Sequence, residues 1–576
     1  MMTRRHSPPQ TALQQDYGFT ALDDYDTRMY IVPYLRDKSS LEAIIAEHRE
    51  NPRGAGTKAD EAAPLHSLGL KRLIDKLRMV RQAGKHTIIE TVPWKEYKIG
   101  ILPGRRGGVI EITSFSRMMS VVFFGSLLLA AVATTYRMPA RPSARAPRER
   151  DTESRAEALV AALMDNRRQV DFHLLLMMVG LGMSLMAMAS NLFFMFVAIE
   201  LTSLAAYVLV AFHKEEAVGG EAGAKYFIVG SVSSATGIYG MSLVYLWSGD
   251  LDFDALAAAW AAMDGLDPFA VIGVGLMLVA FGFKVSAAPF HLAAPDAYAG
   301  ASSPVAGLLA TASKAMGFVA LFRVLIEVTM PEEGEALWFC LLALIAIVTM
   351  TWGNLAALTS ENPKRMLAYS SVAHAGYMLA ALAAVGSGLG DASTTKLVLI
   401  AIVFHLTILV LFKFGAFLVL GLLETEGRSH RLEDLHGLAR RDPLIAGSMF
   451  IFMLSLAGVP PLSGFLSKLL MINGIINISA GTGSTTADAI VPWAETVDPV
   501  FWLAIAIVLN SALSLFYYLR LCLVMFFEEP EVSKPLRRAS HLRRTTLVLA
   551  VLSVFFGIGA GAEFLLELVE TAVAAM

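Results

Sequence analysis

From residue 116 onward the chain is a succession of apolar segments about 20 residues long, the length a helix needs to cross bilayer hydrocarbon. Twelve such segments lie near 116–136, 171–190, 191–212, 225–247, 268–289, 300–328, 335–358, 364–387, 396–423, 443–473, 499–526 and 545–571. Lipid offers no partner to a backbone N–H or C=O, so segments of this length must be helices that close their hydrogen bonds internally. The fold class follows: an all-α polytopic membrane protein with about 12 transmembrane helices. Only 17% of the residues are charged, against about 25% in soluble domains. The stretch GDLDFDALAAAWAAMDGLDP (249–268) is too punctuated by Asp to span and reads as a short interfacial helix.

Residues 1–115 differ. They form a polar N-terminal extension with no apolar run long enough to cross a bilayer. Within it, 65–84 sets Leu70, Leu73, Leu77 and Val80 against a basic face, the pattern of an amphipathic helix. The opening residues show no signal-peptide core and meet acids too soon for a clear transit peptide. Downstream, the loops at 137–170, 213–225, 290–300, 359–365, 424–442 and 527–545 hold 21 Lys and Arg, while the opposite loops hold one, Lys396. Short cytoplasmic loops keep their cations. The basic loops are therefore expected on the cytoplasmic (or matrix) side, with the C-terminus and the extension outside. Cys340 and Cys522 both lie in apolar runs and read as small buried hydrophobes rather than metal ligands. No phosphate-loop, dinucleotide or nucleophile motif stands in a convincing context, so neither a cofactor in this chain nor a nucleic-acid partner is expected.

The ionisable residues inside the spans are few. They are Glu200 in FFMFVAIELTSLAAYVL, Lys284 in FGFKVSAAPFH, Lys314 in GLLATASKAMGF, His405 and Lys413 in IVFHLTILVLFKFGAF, and Lys468 in SLAGVPPLSGFLSKLLMI. Each ion near a helix centre costs roughly 2.5–3.5 kcal/mol on insertion scales, so five facing lipid would cost on the order of 10 kcal/mol or more. They are expected to face one another across the bundle interior or to line water. Lys225 and Lys364, at the basic-loop ends of their helices, fit snorkelling to the interface, and Glu327 fits the outer interface. For His405 and Lys413 a satisfied buried polar group competes evenly with a relay role.

Helix breaks coincide with two of these lysines. Pro289 follows Lys284 by five residues, and Gly458, Pro460, Pro461 and Gly464 precede Lys468. Proline removes an intrahelical hydrogen bond and frees carbonyls that only water or neighbouring protein can satisfy. A broken helix in each half of a transporter points to its ion site. Burial favours the neutral amine and a nearby carboxylate the ammonium, so moving a neighbour's charge makes such a lysine take up or release a proton.

Five stretches in order then resemble a known family: ASNLFFMFVAIELTSLAAYVLVAF (189–212), EAGAKYFIVGSVSSATGIYGMSLVY (221–245), FKVSAAPFHLAAPDAYAGASSPVAGLLATASKAMGF (283–318), NLAALTSENPKRMLAYSSVAHAGYMLAAL (354–382) and LSLAGVPPLSGFLSKLLMI (454–472). They resemble the subunit N branch of the antiporter-like membrane subunits of proton-pumping NADH-quinone oxidoreductase, respiratory complex I, from about Gly108 to Phe527. The resemblance implies two five-helix repeats of opposite topology, 171–330 and 331–527, each with one broken helix. They are flanked by a first transmembrane helix and basic loop (116–170) and by a basic loop and C-terminal helix (528–576). By position it implies that Glu200 pairs with Lys284, that Lys314 is the central relay, that Lys468 is the terminal proton-transfer residue, and that His291 assists access. It places no redox group in this chain: NADH, FMN, iron–sulfur and quinone chemistry belong to other subunits of the complex. The implied partners are those membrane-arm subunits and the lipid bilayer, in a bacterial inner membrane by default and a mitochondrial one as the alternative.

Two departures stand out. The family has fourteen helices, two of which are replaced here by residues 1–115, and Lys413 stands where an uncharged residue such as Asn is expected before GAF. A cation/proton antiporter subunit and a structural subunit that no longer pumps are the rival readings.

Overall fold

The structure, a computed structural model, describes residues 109–134, 155–213, 217–263, 265–331, 334–428, 431–480, 498–530, 536 and 539–574. The expected amphipathic helix at 65–84 lies outside the described residues. Residues 113–576 belong to one compact unit, built as α1 (Ser114–Thr134), α2 (Arg155–Ala187), α3 (Leu192–Val210), α4 (Ala217–Ser248), α5 (Phe253–Ala261), α6 (Pro268–Val285), α7 (Ala294–Gly300), α8 (Ser303–Val328), α9 (Phe339–Thr359), α10 (Pro363–Val385), α11 (Ala392–Glu424), α12 (Pro443–Ala457), α13 (Ser463–Ala480), α14 (Phe501–Phe527), α15 (Ser540–Phe555) and α16 (Gly559–Val573).

Among the described residues eleven helices are long and apolar enough to span, or twelve if the C-terminal pair counts as one. The Asp-rich stretch yields the nine-residue α5, whose start is tied to the foot of α3: the Asn191 amide donates to Asp252 Oδ1 at 2.6 Å while its oxygen caps Phe193 and Phe194. Several spans begin the same way, with an Asp or Asn cap followed by proline: Asp267–Pro268, Asn362–Pro363 and Asp442–Pro443. The cap satisfies orphan N–H groups, and proline has none to satisfy.

The expected single C-terminal span at 545–571 is instead two helices meeting at 88°. The reason is packing. The corner residue Gly557 lies so close to the α12–α13 connection that a Cβ there would stand 2.5 Å from the Pro461 carbonyl oxygen.

Burial sorts the helices into centre and rim. The most apolar window of α8 is wholly buried and that of α10 nearly so, whereas α4, α9 and α14 bury only 39% of theirs. The rim helices turn side chains such as Tyr239, Trp352 and Phe516 outward, which lipid tolerates as well as protein does. The central α8 departs from α geometry twice, winding as π-helix over Leu309–Ser313 and Arg323–Val328. Single π turns often mark functional positions, and the first ends at Lys314.

Candidate functional site

Both helix breaks close on the same backbone device. The α6 helix ends at Ser286, which is left-handed with φ 62°, and the Ala287 N–H returns to Gly282 O at 2.8 Å. The α12 helix ends at Gly458 with φ 83°, and the Val459 N–H returns to Leu454 O at 3.0 Å. This six-to-one bond over a left-handed residue is the Schellman C-terminus. Proline then forbids continuation: Pro289 before the 3₁₀ turn Phe290–Ala293, and Pro460–Pro461 before α13.

Around the first break, Glu200, Ser203 and Tyr207 share one face of α3. Lys284 is buried and donates to Ser203 Oγ, and the Ser234 hydroxyl donates to Glu200 Oε1 at 2.5 Å. The implied Glu200–Lys284 pair is therefore not a direct ion pair: each group is held by its own serine, with the Tyr207 ring 5.7 Å from the Lys284 ammonium. Two hydroxyl contacts satisfy both polar groups while keeping the charges within electrostatic reach of each other.

In the centre, Lys314 has no exposed surface and donates to the Ser371 carbonyl at 2.6 Å. Ser370, the preceding residue on α10, accepts from Lys413 at 2.5 Å. From Ser370 a continuous chain runs on. Its Oγ meets the Tyr518 hydroxyl of α14, Tyr518 meets His374 Nε2 at 3.3 Å, His374 Nδ1 meets His405 Nε2 at 3.0 Å, and His405 Nδ1 meets Ser467 Oγ at 2.8 Å. Ser467 donates to Gly464 O at 3.0 Å. One set of tautomers satisfies every contact: each group donates forward once and accepts from behind once, from the Lys413 ammonium to the Gly464 carbonyl. Next to Ser467, Lys468 donates to the Leu456 and Ala457 carbonyls at 3.0 Å each and lies 5.2 Å from the Tyr377 ring. These are the last carbonyls of α12, which a helix end leaves without intrahelical partners.

His291 is buried, neither ring nitrogen has a hydrogen-bond partner, and its ring centroid lies 5.9 Å from that of Trp352. It therefore sits beside the break but outside both networks. Two sequence expectations fail. Lys364 does not snorkel: it is buried, pairs with Glu424 and donates to the Ala301 carbonyl at 3.0 Å. Of the two cysteines, Cys522 is buried but Cys340 is exposed. Glu327, near the end of α8, pairs at 2.7 Å with Arg323 one turn earlier, a cation within the span that its i,i+4 spacing marks. Missed as well were His374, Ser370, Tyr518 and Ser467; His374 lies within a quoted motif, whereas the hydroxyls carry no sequence signal of their own. Among the described residues no group of three or more His, Cys, Asp or Glu could hold a metal.

Comparison with known proteins places the chain in a family. A family described as NADH:quinone oxidoreductase/Mrp antiporter, TM, matches residues 189–490, which include every residue of the site except Tyr518. A second, N,N-dimethylformamidase alpha subunit, matches residues 26–117. NADH-quinone oxidoreductase subunit N of Heliobacterium modesticaldum is 37% identical over 69% of this chain and 76% of the relative. Subunit N 2 of Sorangium cellulosum is 34% identical over 78% and 82%. Among solved structures, a chain of respiratory complex I from Thermus thermophilus superposes with a TM-score of 0.58 at 28% identity, covering 86% of this chain and 90% of that one. A chain of the Mrp complex from Dietzia shares the fold with a TM-score of 0.58 at 22% identity, covering 80% and 93%.

Proposed function

This chain belongs to the NADH:quinone oxidoreductase/Mrp antiporter membrane family, and from that premise we propose that it is a proton-translocating membrane-arm subunit of an NADH-quinone oxidoreductase. The observation that carries the reading is the unbroken donor–acceptor chain from Lys413 through Ser370, Tyr518, His374 and His405 to Ser467. Such a chain moves a proton by shifting every donor one place along, with no open pore. Glu200 and Lys284 form the first station, Lys314 and Lys413 the central one, and Lys468 the terminal one. Two ammoniums ~10 Å apart at an effective dielectric of ~20 repel by about 1.7 kcal/mol, more than a tenfold change in proton occupancy. Charging one station therefore drives the proton off the next.

The two repeats, 171–330 and 331–527, each contribute one broken helix to this line. The chain supplies proton carriers only. NADH, FMN, iron–sulfur and quinone chemistry sits in the partner subunits, and its oxidation energy reaches this chain as charge and conformational change at their contacts. The basic loops face the cytoplasm of a bacterial inner membrane, with the C-terminus outside.

The test is proton translocation per NADH oxidised by the complex in proteoliposomes. Lys468→Ala is expected to lower that ratio while the complex still assembles. An unchanged ratio removes the terminal-relay role, and failure of assembly makes Lys468 a structural strut. Sodium rather than proton accumulation would favour the antiporter reading.

A further inference from the structure

Lys284 and Glu200 are each anchored by a serine and do not touch, so a proton passing between them needs a carrier. Tyr207 lies where that carrier must be. It is buried on the same α3 face as Glu200 and Ser203, with its ring 5.7 Å from the Lys284 ammonium. Its hydroxyl lies beside both anchoring serines, Ser203 and Ser234, but meets neither with the distance and angle of a formed hydrogen bond. Tyr226 and Phe227 of α4 pack edge-on against the ring, with centroids 5.0 and 5.7 Å away, and fix its direction. One turn before Ser234, Gly230 provides the notch that admits the hydroxyl: any Cβ there would collide with Tyr207 Oη. A buried hydroxyl without a partner is costly, and phenylalanine would fill the same volume without that cost. The fold thus keeps a polar atom between two ionisable groups, at a place where packing alone does not ask for one.

We propose that Tyr207 is a relay residue whose phenol passes protons between Lys284 and Glu200. The inference rests on the proton-translocation reading above. In the step, the Lys284 ammonium gives a proton through the Ser203 hydroxyl to the Tyr207 oxygen. The phenol's own proton leaves through the Ser234 hydroxyl to the Glu200 carboxylate. Each hydroxyl oxygen gains one O–H bond and loses one, leaving a neutral amine and a carboxylic acid, and no electron is transferred. In this step the Ser203 hydroxyl, which otherwise donates to the Ile199 carbonyl at 2.5 Å, turns its proton to the phenol oxygen, and the phenol turns its own to Ser234, whose hydroxyl already donates to Glu200. Between transfers the unpartnered hydroxyl leaves the two charges insulated from each other, which stops a proton from leaking back.

The experiment is Tyr207→Phe in the assembled complex, reading protons translocated per NADH oxidised in proteoliposomes and the solvent deuterium isotope effect on that ratio. One oxygen is removed and the ring, its packing and its contact with Lys284 remain. The expected loss is on the order of ten-fold, below the usual contribution of a positioned proton carrier. Gly230→Ala, which keeps the phenol but displaces its hydroxyl, is expected to give the same loss, and the double variant no more than either single one. A residual isotope effect smaller than in the unaltered complex is expected, because the transfer through the phenol no longer occurs. Normal translocation by Tyr207→Phe, with Glu200→Gln and Lys284→Ala impaired, overturns the role of Tyr207 alone. Normal translocation by all three overturns the proton-translocation reading of this half.

Discussion

At the first break the lysine precedes the interruption and is anchored on a side chain of another helix. At the second it follows the interruption and folds back onto the backbone that the break exposes. Lys284 leans on the rotatable hydroxyl of Ser203, with Glu200 close by. Lys468 meets two carbonyls whose direction is fixed by the end of α12, where the helix dipole adds further negative potential. The same Schellman turn therefore supports two different ways of holding a cation. Under the proposed relay, side-chain anchors would let the first lysine be reset by moving a neighbouring charge. Fixed carbonyls would give the second a constant pull, so its occupancy would be set through the Lys413–Ser467 chain that ends beside it.

The most severe test of this contrast is Gly458→Ala. A non-glycine residue in the left-handed region costs about 1–2 kcal/mol, and the new Cβ would stand 2.9 Å from Lys468 Cδ and 3.4 Å from its Nζ. The ammonium would be pushed off its carbonyls, and hydrogen bonds to a charged group are worth roughly 1.5–3 kcal/mol. Proton translocation per NADH is expected to fall at least about tenfold. A normal ratio would show that the α12 carbonyls do not hold the working lysine. At the first break the matching loss is smaller. Ser234→Ala removes one hydrogen bond from Glu200, where Gly458→Ala breaks two at Lys468 and strains the turn; at the low end of the range, about 1.5 kcal/mol, that is roughly tenfold. Because the anchors there are side chains, Ser234→Thr should restore translocation, and failure of that rescue would make the position a packing site.

The comparison also separates what could be read in the sequence from what could not. A lysine in an apolar run and a nearby proline are local signals, so Lys284, Lys314, Lys413, Lys468 and both interruptions are legible in the sequence itself. The connections among them are not local. The Ser370–Tyr518 contact joins residues 148 apart and the Tyr517–Asn354 bond residues 163 apart, and serine or tyrosine in a membrane helix is too common to single out. Lys364 was misread for the same reason, because its partner Glu424 lies at the far end of α11. The Glu200–Lys284 pair is instructive: the structure holds each group on its own serine, Ser234 and Ser203, and neither hydroxyl is marked out in the sequence.

Ser286 carries the smallest expected effect and the sharpest division between the two breaks. Its φ of 62° places a side chain in the left-handed region that Gly458 occupies without strain. Replacing Ser286 by glycine should relieve about 1 kcal/mol of that strain, partly offset by the greater freedom glycine gains in the unfolded chain. Lys284 reaches across to Ser203 rather than back to its own turn, so relaxing the turn should not move the ammonium. The expected result is a thermal midpoint of the purified complex that is unchanged or slightly higher, with proton translocation per NADH intact. A clear loss of translocation would mean that the strained turn itself aims Lys284, and that the first break, like the second, positions its lysine through the backbone.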